Sequence, residues 1–66
     1  MKNNIRVERA IMNISQEELA KRVGVSRQTI NATELNKYIP STVLALKISG
    51  VFGKKVEDVF FLEGNE

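Results

Sequence analysis

The sequence predicts an all-α fold, a compact five-helix bundle. Three observations carry that prediction. Capping residues recur just ahead of short apolar stripes with helical spacing. Glycine or proline punctuates the chain between the stripes. No segment alternates apolar and polar residues as a half-buried strand would. At 66 residues the chain reads as one small domain. Below about 70–80 residues a single core rarely supplies more than about 3–5 kcal/mol. The chain has no cysteine and no histidine, so neither disulfides nor a structural zinc site is expected to staple it. Tight helical packing and oligomerisation are the remaining sources of stability.

The segment "NIRVERAIM", residues 4–12, can form a first helix, with Ile5 and Met12 seven apart on one face and Glu8 interrupting that face. The "SQEE" that follows from Ser15 is a capping box. The Ser15 hydroxyl can accept from the Glu18 backbone N–H, and the Glu18 side chain can reach back. Leu19, Ala20 and Val23 then form the apolar stripe of a second helix, 16–23. Gly24 stands where a left-handed residue ends it. Ser26 is the next N-cap, which makes "RQTINATE" a third helix, 27–34. Only Gly24, Val25 and Ser26 separate the second and third helices. A turn that short makes them cross steeply, which is the helix-turn-helix arrangement.

Pro40 keeps "LNKYIPS" out of helix, and Ser41 caps the next one. In "TVLALKISGVF", 42–52, the residues Val43, Leu44, Leu46, Ile48, Val51 and Phe52 are expected to form the central core helix. Gly50 either weakens that helix by about 1 kcal/mol relative to alanine or permits close packing. "VEDVFFL" predicts a short last helix, about 57–61, with Glu57 and Asp58 at its positive end. The tail 63–66 is expected to fray.

Charge is unevenly spread. All ten Lys and Arg fall in residues 1–55 against four acids, a net +6, whereas residues 56–66 hold four acids and no base. A basic body with an acidic end suits a polyanion partner at one face. An enzyme is not expected. Neither the commonest general base nor a thiol nucleophile is present, and a chain this short can hardly enclose a deep pocket. No cofactor, metal or small-molecule ligand is implied. No apolar run approaches membrane-span length and no signal-peptide pattern is visible, so a cytoplasmic location is expected.

In a helix-turn-helix the second helix of the motif enters the major groove, and its first turns meet base edges. Arg27, Gln28 and Asn31 carry suitable heads on one face of the third helix. Gln28 and Asn31 can pair bidentately with adenine, and Arg27 with guanine or a phosphate. Ala32, on the same side, can touch a thymine methyl. Ile30 and Thr33 lie on the other side, toward the core.

The run "SQEELAKRVGVSRQTINATELNKYIPS…LALKI…VFGKKVEDVF" resembles the phage-repressor/Cro-like helix-turn-helix family, also called the xenobiotic-response-element family of prokaryotic regulators. It is most similar to the small stand-alone members. The resemblance covers the chain from about Asn4 to Phe60 and is densest from Ser15 to Ser41. It implies a lambda-repressor-like DNA-binding domain. Gln16 then looks like the residue that bonds a phosphate and braces a base-reading glutamine, which would be Gln28. Thr29, Lys37 and Asn36 match positions that touch the sugar-phosphate backbone, contacts that position a protein without conferring sequence choice. Arg9 and Glu34 match an ion pair that joins the first helix to the end of the third.

Three residues depart from the family pattern. Thr33 stands where a large apolar residue is usual. Its hydroxyl can bond a carbonyl one turn back, but the lost burial should cost about 1–3 kcal/mol. Glu8 also replaces an apolar residue. Leu35-Asn36 follows the third helix where glycine is common, and asparagine is the next-best left-handed residue.

The function implied is a sequence-specific transcriptional regulator, a repressor, that binds double-stranded operator DNA as a homodimer with half-sites about 10 base pairs apart. The dimer surface is expected at Phe60, Phe61 and Leu62. With Val56 and Val59 these make the C-terminal region more apolar than one short helix requires, so some of the five must be core. Two other functions fit the same residues: an antitoxin-like module that masks a protein partner, and a non-specific nucleic-acid binder.

Overall fold

Serine hydroxyls set three of the helix starts, and left-handed residues set three of the ends. The computed structural model describes all 66 residues as β1 (Lys2–Asn3), α1 (Ile5–Met12), α2 (Gln16–Val23), α3 (Arg27–Glu34), α4 (Thr42–Phe52), α5 (Val56–Val59) and β2 (Phe60–Phe61). Ser15, Ser26 and Ser41 each accept a hydrogen bond from the backbone N–H three residues on, that of Glu18, Thr29 and Leu44. Each satisfies one of the N–H groups a helix start leaves unpaired. α1 ends at Asn13 with φ of 56°, α2 at Gly24 with φ of 78° and α4 at Gly53 with φ of 65°. Asn36 takes φ of 62° after α3, where asparagine was expected to replace glycine. Only half of the capping box forms. The Glu18 carboxylate does not reach back but pairs with Arg22 Nε at 2.8 Å, one turn along α2. That hydrogen bond holds the Glu18 carboxyl below its ordinary pKa.

The core is one cluster, fed by Ile5 of α1, Leu19, Ala20 and Val23 of α2, Ile30 of α3, and Leu44, Ala45, Ile48 and Phe52 of α4, and closed by Val59 and Phe60. Ile5, Leu19, Ile30, Ile48 and Val59 are wholly buried. Two expectations about α4 are corrected. Val43 and Leu46 are 62% and 54% exposed, and their core places go to Ala45 and Ser49. The helix therefore buries a narrower stripe than its composition suggests. The buried Ser49 hydroxyl has no hydrogen-bond partner, which makes this a costly position for a polar group. Met12 also lies outside the cluster and is partly exposed, so α1 is anchored through Ile5.

Gly50 is resolved in favour of simple weakening. It is exposed, and a Cβ there would meet nothing within 4 Å. Gly50→Ala is expected to stabilise the fold by about 0.5–1 kcal/mol, read as a higher denaturation midpoint at unchanged slope.

The last helix is shorter than expected and starts one residue earlier. α5 stops at Val59, and Phe60 adopts an extended backbone, φ −119° and ψ 133°. Lys2 and Asn3 pair antiparallel with Phe61 and Phe60, and the Asn4 N–H donates to the Val59 carbonyl at 2.8 Å. The bundle thus carries a two-stranded sheet that ties the two ends of the chain together. Alternation along β2 turns Phe60 inward, at 7% exposure, and Phe61 outward, at 39%. Phe60 is therefore a core residue and is not available to a partner. Leu62, at 69%, is exposed.

The tail 63–66 is exposed but turns back on the N-terminus. The Glu66 carboxylate accepts from the Glu63 N–H and from the Met1 amine, each at 2.6 Å. Those bonds, the backbone one first, hold the Glu66 carboxyl below its ordinary pKa. No helix is long and apolar enough to cross a membrane.

Candidate nucleic-acid interface

α3 has two unlike faces because its two buried residues are three apart. Ile30 and Thr33 point into the body and are buried, whereas Arg27, Gln28 and Asn31 are exposed. A helix with its side chains is about 10–12 Å across, close to the width of a B-DNA major groove, about 12 Å. Thr33 fills its core position with its hydroxyl satisfied, donating to the Thr29 carbonyl at 2.7 Å. Its own carbonyl accepts from Asn3 Nδ2 at 2.9 Å.

The third helix is fixed to the first by a two-pronged ion pair. Arg9 Nε donates to Glu34 Oε2 at 2.7 Å and Arg9 Nη2 to Glu34 Oε1 at 3.1 Å. Arg9 Nη1 donates to the Ile14 carbonyl at 3.0 Å, which also holds the α1–α2 loop. The side chains keep 16% and 7% of their exposure. A planar guanidinium met edge-on by a carboxylate supplies direction as well as charge.

Gln16, at the start of α2, is the centre of the outer face. Its Oε1 accepts from Arg27 Nη1 at 3.2 Å. Its Nε2 donates to Asn31 Oδ1 at 3.1 Å and to Glu34 Oε1 at 3.1 Å. This corrects the expected brace in two ways. Gln16 holds Arg27 and Asn31, not Gln28. Both Nε2 hydrogens are already engaged within the protein, so that group has none left for a phosphate. The reason is helical phase. Arg27 and Asn31 are one turn apart on the flank facing α2, and Gln28 is rotated away from it. Gln28 makes no hydrogen bond and lies open to solvent.

The remaining candidates fall around this centre. Thr29 is half-buried, with its hydroxyl 3.0 Å from the Ser26 hydroxyl, and Ala32 is half-buried. Asn36 Oδ1 accepts from Asn3 Nδ2 at 3.1 Å. Lys37 is exposed and unpaired just beyond it. Asn3 was not singled out in the sequence, yet its amide joins β1 to the end of α3 and its Oδ1 accepts from the Ile5 N–H. Its tie to α3 could not be read locally, because Thr33 and Asn36 lie thirty and thirty-three residues away. Arg6 also lines the polar cleft that runs from Asn31 and Gln16 back to Asn3. Of the residues lining that cleft, the one acid, Glu34, is paired with Arg9, and Arg6 adds a further positive charge.

Comparison with known proteins adds a third line. Residues 5–59 match the helix-turn-helix family. The chain is 54% identical, over the whole of both sequences, to a protein of Methanocaldococcus jannaschii named as an uncharacterised HTH-type transcriptional regulator. It is 52% identical over 63 residues to one of the same description from Bacillus subtilis, covering 96% of each chain. A third, from Archaeoglobus fulgidus, is 52% identical over 66 residues, 100% of this chain and 93% of the relative.

Proposed function

Because this chain belongs to the helix-turn-helix family, we propose that it is a sequence-specific DNA-binding transcriptional regulator, a repressor, that reads the major groove with α3 and acts in the cytoplasm as a homodimer. The observation that carries this reading is the exposed row Arg27, Gln28 and Asn31 on a helix pinned from behind by Ile30 and by the Arg9–Glu34 pair. A reading helix must hold still, because a base-edge contact needs both distance and direction.

Arg27 keeps four of its five N–H groups after its bond to Gln16, enough for a guanine or a phosphate. Gln28 has both ends of its amide free and suits the N6/N7 edge of adenine. Lys37, just past the end of α3, supplies a phosphate contact. For the homodimer, Phe61 and Leu62 remain exposed. They lie on the acidic C-terminal segment, which the phosphates would repel.

One duplex selection at a stated salt concentration tests the whole reading. Wild type is expected to enrich a two-fold repeat with half-sites about 10 base pairs apart. Gln28→Ala should relax preference at one base pair per half-site by about 1–3 kcal/mol, whereas Lys37→Ala should weaken every duplex about equally. A single unrepeated half-site would remove the homodimer. Equal recovery of scrambled duplex would leave only non-specific phosphate binding. A small unrelated protein that co-purifies with the chain and displaces DNA would favour the antitoxin-like alternative.

A further inference from the structure

A polar cleft of about 500 Å³ lies between α1 and the flank of α3 that carries Asn31. Arg6 and Arg9, three apart and so on one side of α1, line it together with Asn31, Leu35 and Gln16. Its one acid, Glu34, is taken up by Arg9. Arg6 is exposed, and none of the chain's three ion pairs includes it. Its guanidinium makes no hydrogen bond either, so all five N–H donors are free. The cleft therefore holds one unbalanced positive charge.

An exposed arginine is at ease in water and needs no partner. Two features set Arg6 apart from the other unpaired cations. It shares its cleft with Asn31, one of the exposed polar residues of α3, whereas no lysine lines that cleft. Gln16, the neighbour expected to bond a phosphate, also has both amide hydrogens engaged, by Asn31 and Glu34. Arg6 is the cation left in the cleft to take such a contact.

The kind of contact follows from size. The B-DNA major groove, about 12 Å wide, admits one helix. With α3 inside it, α1 stays outside, level with the sugar-phosphate strand that borders the groove. A residue of α1 that shares a cleft with α3 then meets that strand and not a base edge. We propose that Arg6 binds a backbone phosphate of the duplex whose bases α3 reads. This rests on the reading of α3 as the groove-entering helix. The guanidinium can give two parallel N–H groups to two phosphate oxygens. The contact fixes where α1 stands against the strand and confers no sequence choice.

The test titrates wild type, Arg6→Ala and Lys55→Ala with the selected duplex and a scrambled one over a range of salt. Lys55 is exposed beside the acidic C-terminal segment and controls for net charge. At a fixed salt concentration Arg6→Ala should bind both duplexes about threefold to tenfold more weakly per protomer, the scale of one net hydrogen bond. The slope of log affinity against log salt should fall by about 0.9 for each protomer. Base preference and the denaturation midpoint should match wild type, and Lys55→Ala should keep the wild-type slope. Duplexes with one phosphate at a time replaced by an uncharged methylphosphonate then locate the contact. At one position per half-site the replacement should weaken wild type and leave Arg6→Ala as it was. Affinity and slope for Arg6→Ala equal to those of Lys55→Ala would overturn the inference. So would a methylphosphonate series with no position that separates Arg6→Ala from wild type, or a changed base preference at unchanged slope. If wild type does not discriminate the two duplexes, it is the groove reading of α3 that fails, and the premise of this inference with it.

Discussion

Arg9→Ala is expected to lower unfolding free energy by about 3–5 kcal/mol, while Lys2→Ala changes it by less than about 0.5 kcal/mol. Both remove one cation, so net charge cannot explain the difference. The Glu34 side chain is 7% exposed and loses two charge-assisted bonds when Arg9 is truncated. The carboxylate left behind keeps only Gln16 as a donor. The Ile14 carbonyl loses its partner as well. Lys2 carries an exposed side chain on a strand whose pairing uses backbone groups. Removing Arg9 and Glu34 together should cost less than removing Arg9 alone, because no orphaned charge remains. Chemical denaturation of the three variants checks this, and equal midpoints for Arg9→Ala and Lys2→Ala would contradict it. In a domain whose core supplies about 3–5 kcal/mol in all, such a loss leaves much of the chain unfolded at room temperature.

The second large effect separates the two faces of α3. Ile30→Ala should destabilise by about 2–5 kcal/mol, since a wholly buried side chain is replaced by a cavity beneath α3. Gln28→Ala, two residues away on the exposed face, should leave the denaturation midpoint within about 0.5 kcal/mol of wild type. The two variants should also differ in binding. Ile30→Ala weakens all duplexes in proportion to the unfolded fraction, and the folded remainder keeps the wild-type preference. Gln28→Ala keeps the fold and alters preference. Denaturation and selection carried out on both would refute this if Ile30→Ala changed which base pair is preferred while its midpoint stayed at that of wild type.

The residues of this candidate interface, and those that position them, were legible in the sequence to different depths. Ser15, Gly24, Ser26 and Ser41 act on partners within three or four residues, so their roles follow from local order alone. The exposed and buried sides of α3 follow from spacing in the same way. The identity of Gln16's partners does not. Whether it faces Arg27 or Gln28 depends on the rotation of α3 against α2, and one residue of phase changes the answer. Likewise Val43 and Leu46 are as apolar as Leu44 and Ile48. Only the placement of the neighbouring helices shows which pair is covered.

The C-terminal segment makes the same point for the backbone. Val59, Phe60 and Phe61 suit either a helix or a strand, and β-branched and aromatic residues lean to the latter. The deciding partner is Lys2–Asn3, at the other end of the chain. Pairing there frees Phe61 for the surface and commits Phe60 to the core.

Sequence order by itself determined the ends of α2, α3 and α4, the tight turn between α2 and α3, and the polar row along α3. Each is settled by hydrogen bonds or steric limits spanning a few residues. Tertiary structure alone decided which apolar side chains are covered, where the last helix becomes a strand, and which way the amides of Gln16 and Asn31 point. Those outcomes depend on groups brought together across eleven to nearly sixty residues of chain, a distance over which composition and periodicity carry no information.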